Sequence, residues 1–196
     1  MPYEDFMEKR LFDPLGMKDT TFWPTESQEK RIAKSYKPNA TRDGFVEIPV
    51  DQLTYPLTDR VKRHPYPAGG LYSTAADVAA FGQVILGGGV HDGKRLLSES
   101  AVRQMTSTQT GDLINKGKGE HGYGLGFSTS RKAPAADGPA IPGPCGHGGA
   151  YDTHLDIDPG RKLVFVYMVQ RAGYKGEENG AIYAAFKKAA ESGFGK

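Results

Sequence analysis

Apolar side chains recur at helical spacing from the start of the chain: Tyr3, Phe6, Met7 and Leu11. The spacing predicts a helix over residues 2–11, with Pro2 in its first turn and Asp13-Pro14 ending it. Leu15-Gly16-Met17 then reads as a turn packed by its own apolar side chains. From residue 18 to 67 the pattern is irregular and rich in Pro, Thr, Asp and Tyr, which predicts long loops with short strands or helices. Helical periodicity returns with Val78, Phe81, Ile85 and Leu86. Thr74-Ala75-Ala76-Asp77 is a capping-box start for this helix, and Gly87-Gly88-Gly89 stops it. Ser98 predicts the N-cap of a short helix with Val102 and Met105 on its apolar face.

The period then changes to two. Tyr123, Leu125 and Phe127 alternate with small residues and predict a strand. Residues 146–158 predict a second, with Leu155 and Ile157 alternating against His154 and Asp156. Asp158-Pro159-Gly160-Arg161 is a turn. The unbroken apolar run 163–169 fits a central strand covered on both faces. The turn before it is too short for a parallel crossover, so the strands are expected to be antiparallel. A final helix starts near Asn179, with Ile182, Phe186 and Ala189 on one face and Lys187 and Lys188 near its carboxyl end, where the dipole favours them. The expected class is α+β, an antiparallel sheet with flanking helices, in a single domain over residues 1–196. There is no internal repeat and no linker that separates two domains.

The 196 residues are 38% hydrophobic and 24% charged, ordinary for a globular chain. Twenty-six glycines and 13 prolines, set between periodic apolar segments, point to many turns rather than disorder. A net charge of +2 without a dense Lys/Arg run argues against a nucleic-acid partner. Mixed clusters such as Glu29-Lys30-Arg31 read as solvated faces. No stretch nears the roughly 20 apolar residues of a membrane span, and the acidic start Met-Pro-Tyr-Glu-Asp-Phe is not a signal peptide. Cys145 is the only cysteine, which rules out an intrachain disulfide. It is expected to be a buried or half-buried residue rather than a nucleophile.

The densest candidate for chemistry is Gly146-His147-Gly148-Gly149-Ala150. Glycines around a polar side chain let a ligand approach the backbone, and an exposed N–H there can serve an oxyanion hole. On these residues alone, a Gly-rich strand entry with an incidental histidine is the ordinary reading.

Several segments together resemble the family of class C β-lactamases, penicillin-binding esterases and DD-peptidases. They are 6–17 (FMEKRLFDPLGM) with Thr20-Thr21-Phe22, then 67–77 (PAGGLYSTAAD), Tyr123-Gly124-Leu125-Gly126-Phe127, and Gly146-His147-Gly148-Gly149 followed by Asp158-Pro159. They stand in the family's order over nearly the whole chain. The resemblance implies a partial β-lactamase/transpeptidase-like fold, its carboxyl-terminal portion. It places His147 at the lysine position of the third active-site motif, where it would orient the substrate carboxylate or the proton-transfer network. Gly148 belongs to the same wall, Gly149 would keep the strand edge open, and the backbone N–H of Ala150 would be one of two oxyanion donors.

The family's nucleophile lies in Ser-x-x-Lys at a helix start, followed by Tyr-x-Asn, and both normally precede the segment that residues 2–17 resemble. Ser27-Gln28-Glu29-Lys30 fits the first pattern, but in a polar loop with no apolar helix to bury the lysine. Tyr-x-Asn does not occur, since Lys37, Leu113 and Glu177 stand two residues before Asn39, Asn115 and Asn179. No Gly-x-Ser-x-Gly elbow is present, and His147, His154 and Asp156 lack a metal-ligand spacing. Asp77 and Ser73 read as helix-start residues. No cofactor or metal is expected.

The expectation is the carboxyl-terminal part of a serine hydrolase acting on amide or ester carbonyls through an acyl-enzyme, itself inactive for want of a nucleophile. The alternatives are a non-catalytic binding module or one half of a split enzyme. Expected partners are a small-molecule or peptide substrate in the complete protein, and a missing amino-terminal half or a second copy of the chain. The compartment stays open, although family members are often periplasmic or secreted.

Overall fold

The computed structural model describes residues 1–49, 59–111, 113, 121–130, 141–173 and 176–194. The first helical stretch runs as α1 (Tyr3–Met7), a π turn (Glu8–Phe12) and α2 (Asp13–Leu15). It therefore continues through Asp13-Pro14, where the sequence predicts its end. A proline inside a regular helix clashes with the carbonyl four residues back, and the wider π turn lies where that carbonyl, of Arg10, would stand. The helix stops at Gly16, with Leu15 and Met17 buried beside it as the turn reading requires.

The irregular region holds α3 (Glu26–Glu29) and the antiparallel hairpin of β1 (Ser35–Pro38) and β2 (Phe45–Ile48). The part of it at 50–58 lies outside the described residues. Helix α4 (Ala75–Leu86) begins as expected, the Thr74 side chain accepting from the Asp77 N–H. The capping box is only half formed, because the Asp77 carboxylate accepts instead from the Asp19 N–H at 2.9 Å and the Thr20 hydroxyl at 2.8 Å. The short hairpin β3 (Val90–His91) and β4 (Lys94–Arg95) leads to α5 (Glu99–Thr106), N-capped by Ser98.

The described residues form a five-stranded antiparallel sheet in the order β5 (His121–Tyr123), β6 (Ser128–Ser130), β7 (Cys145–Gly148), β8 (His154–Asp158), β9 (Leu163–Tyr167). Two predicted strands are each broken. Tyr123 ends β5, and the Gly124 N–H bonds the Phe127 carbonyl at 2.8 Å, so the expected strand 123–127 is a tight turn between β5 and β6. The expected strand 146–158 folds back on itself as β7 and β8, joined by a turn closed from the Gly149 N–H to the Thr153 carbonyl at 2.7 Å. The apolar run forms β9, which ends at Tyr167 and sits at the end of the strand order rather than in its centre. Its hydrophobicity reflects helices on both faces.

Helix α4 covers one face. Gly82 lies so near β9 that a Cβ there would stand 2.6 Å from Val164 Cγ1 and 3.1 Å from Leu155 Cδ1. Ile85, Val102, Phe127, Ile141, Cys145 and Ile157 form the core beneath it, and Phe12, Leu15, Met17 and Val84 form an adjoining cluster. Helix α6 (Gly176–Gly193) covers the other face. Of the predicted face, Phe186 packs as expected, its ring 5.0 Å from that of Tyr167, whereas Ile182 is 42% exposed and Tyr183 lies against the sheet beside it, 5.7 Å from the same ring. Lys187 is drawn to Asp156 at 3.0 Å, and the helix runs on past both lysines.

Gly82→Ala separates helix propensity from packing. Propensity alone stabilises alanine by about 1 kcal/mol. The contact with Val164 predicts the opposite sign, a loss of about 1–3 kcal/mol in denaturant unfolding.

Candidate functional site

The β7–β8 hairpin places the expected site residues. Register pairs Cys145 with Ile157, Gly146 with Asp156, His147 with Leu155 and Gly148 with His154. Alternation puts Cys145 and His147 on the face of α4, with Leu155. His154 and Asp156 lie on the face of α6. Cys145 is buried in the core, but His147, two residues on, is exposed beyond the cover of the helices. Folding the strand back therefore brings His147 close to His154 along the sheet and not far from it, yet the two project to opposite faces.

The His147 imidazole meets the Tyr123 ring edge-on, with centroids 5.9 Å apart and planes at 88°. Tyr123 thus limits how the imidazole can lie. Sequence reasoning placed Tyr123 on a strand but missed this contact, because the two residues come together only across β5, β6 and β7. Gly148 ends β7, and Gly149 and Ala150 enter the turn, all exposed. At Gly149 an added Cβ would meet the Thr153 hydroxyl, so a larger residue there requires the Thr153 side chain to turn away. The expected wall of His147, Gly148, Gly149 and Ala150 is contiguous and lies at one end of the sheet.

The opposite face is a clamp on α6. The Tyr183 hydroxyl donates to Asp156 at 2.7 Å, Lys187 pairs with the same oxygen, and the His154 ring stacks on Tyr183 at 4.0 Å. Burial, reinforced by donation to Asp156, holds the Tyr183 phenol well above its ordinary pKa, so it stays protonated as a donor. Asp156 is therefore committed to packing α6, and the His154 ring lies against the same helix.

Ser27 and Lys30, the literal Ser-x-x-Lys, are not arranged for catalysis. The Ser27 hydroxyl hydrogen-bonds the Thr25 hydroxyl at 3.0 Å, and Lys30 pairs with Glu26 at 2.8 Å with both side chains largely in solvent. Lys30 is thus turned to Glu26, and the Ser27 hydroxyl to Thr25 rather than to the lysine. Ser73 and Asp77 belong to the network with Thr20 at the start of α4, as helix-start residues do.

Burial, aided by the Asp156 charge, pushes the Cys145 thiol up to about 12. Native Cys145 is expected to resist iodoacetamide at pH 8, while urea-unfolded chain is alkylated stoichiometrically by intact mass. The unfolded thiol ionises at lower pH than the folded one. Its contribution to stability is therefore complete below about pH 9 and declines as pH rises toward 12.

The chain resembles known proteins over nearly all its length. It is 29% identical over 187 residues to an uncharacterised protein of Mycobacterium tuberculosis, covering 86% of this chain and 43% of that one. It is also 29% identical over 184 residues to a Salmonella agona protein provisionally named a D-alanyl-D-alanine carboxypeptidase, covering 87% and 40% respectively. The chain thus spans less than half the length of these curated relatives. Among solved structures, simvastatin synthase from Aspergillus terreus superposes with a TM-score of 0.73 at 16% identity, over 98% of this chain and 51% of that one. A penicillin-binding protein homologue from Caulobacter crescentus superposes at 0.60 and 21% identity, over 93% and 52%. At these identities the likeness shows the shared fold. The Beta-lactamase family model matches residues 1–190, and the chain belongs to that family.

Proposed function

We propose that this chain forms one wall of a serine acyl-transfer site, at one end of the sheet, whose nucleophile comes from outside these 196 residues. The observation that carries the reading is the β7–β8 hairpin. It presents His147 clear of the core, steadied by Tyr123, next to the exposed turn of Gly149 and Ala150. A substrate carbonyl at this edge would find an imidazole on one side and the Ala150 N–H on the other. The N–H would stabilise the oxyanion of the tetrahedral intermediate. His147 would hold the substrate carboxylate or pass protons, in step with the nucleophile's own base.

The substrate class under this reading is an amide or ester carbonyl: a β-lactam, a D-amino-acid peptide or a small ester. The name of the Salmonella relative favours the peptide. The exposed, solvated setting of Ser27 and Lys30 supports an external nucleophile.

Intact mass after incubation with a fluorophosphonate, and separately with benzylpenicillin, is expected to give no adduct on the isolated chain. A stoichiometric adduct would overturn the reading. Coexpression with a segment bearing Ser-x-x-Lys and Tyr-x-Asn is expected to restore acylation, which His147→Ala then slows by roughly 10²-fold.

A further inference from the structure

Asp152 is out of place in the turn that carries Ala150. Its φ is +67°, in the left-handed region that glycine enters freely and L side chains rarely adopt. Its side chain is only 2% exposed. A turn of this shape needs neither a carboxylate nor its burial, and a buried charge is unfavourable unless paired. Here it is paired twice. Oδ2 accepts from Arg171 Nη2, and Oδ1 lies 3.2 Å from His154 Nε2.

The main chain repeats the tie. The Arg171 N–H donates to the Tyr151 carbonyl at 3.2 Å, and the Asp152 N–H to the Gly149 carbonyl at 3.0 Å. Arg171 is itself bridged to β1, where the Tyr36 N–H bonds the Gln170 carbonyl at 3.0 Å and the Ala172 N–H bonds the Tyr36 carbonyl at 2.7 Å. The turn is thus fastened to its own hairpin and to the segment after β9.

We propose that Asp152, acting through Arg171, is a positioning residue that holds the Gly149–Ala150 peptide in place for anion binding. This rests on the reading of Ala150 as an oxyanion donor. Turn closure alone would be met by glycine, without the strain or the buried charge. The carboxylate adds a rigid link from the turn to the body of the domain. An N–H held in place stabilises an oxyanion without reorganising when the charge develops.

The test uses the ¹⁵N-labelled 196-residue chain and methylphosphonate, a tetrahedral anion, as the probe. Asp152→Asn removes the charge. Asp152→Gly removes it while easing the positive φ, giving a second variant whose folding does not carry the backbone strain of the first. In the wild type, methylphosphonate is expected to shift the Gly149 and Ala150 amides. In the variants, affinity is expected to fall roughly tenfold because the N–H is no longer held, against the gain that loss of a nearby negative charge alone would give an anion. Amide exchange at Ala150 should quicken while the amides of α4 keep their shifts, which a general loss of stability would not allow. Equal affinity in wild type and variants would overturn the positioning role and leave the reading of the site standing. No shift in the wild type would overturn that reading and the positioning role together.

Discussion

Helix α4 lies against β8 and β9 so closely that the backbone at Gly82 has no room for a side chain, Val164 and Leu155 filling the space. Interiors packed at crystal-like density do not yield to an added methyl without moving a neighbour. This contact fixes how far β8 and β9 stand from α4, and with them the whole meander, because β7, β6 and β5 follow through ladder hydrogen bonds. Ile85 and Val102 then close the core over Ile157 and Cys145. The Cys145 end of β7 is anchored under the helices. The His147 end runs out from beneath them, so one strand carries both a core residue and an exposed one.

The two faces of the hairpin divide the work. Toward α6, Asp156, Lys187 and Tyr183 form a polar clamp with His154 stacked on the phenol. Toward α4, the strand presents His147 and then the turn. His147 and His154, on either side of one turn, are therefore separated by the sheet itself, and under the proposed function His147 is the one that meets a substrate. The Beta-lactamase family assignment accounts for the architecture.

The helices were largely legible in the sequence because their signals are local. Thr74, Ser98 and the glycines after Leu86 cap and stop them where the structure does. Pro14 misled because a π turn absorbed it. The strands were legible as apolar periodicity but not as turns. Alternation continues through Gly124–Phe127, and residues 149–153 carry no proline or other strong breaker, so two hairpins read as two long strands. The hydrophobic run of β9 registered burial on both faces, which a strand at the end of the order shares with a central one when helices cover it. Phe186 was legible on the inner face of α6, but Tyr183 and Lys187 were not, because both are polar and reach the sheet through Asp156. His147 and its glycines were found from the motif. Tyr123 was missed as its neighbour, and so was Asp152 as the anchor of the turn, because both partnerships cross strands.

The claim on which the rest turns is that the hairpin edge beyond the core is where a substrate lies. Its most direct test is a benzylpenicillin titration of the ¹⁵N, ¹³C-labelled chain, following the imidazole resonances of His147 and His154 side by side. The account predicts that His147 and the ring of Tyr123 shift together in a saturable way while His154, on the α6 face, does not. Shifts at His154 and Tyr183 with none at His147, or a ligand that touches neither edge, would contradict it.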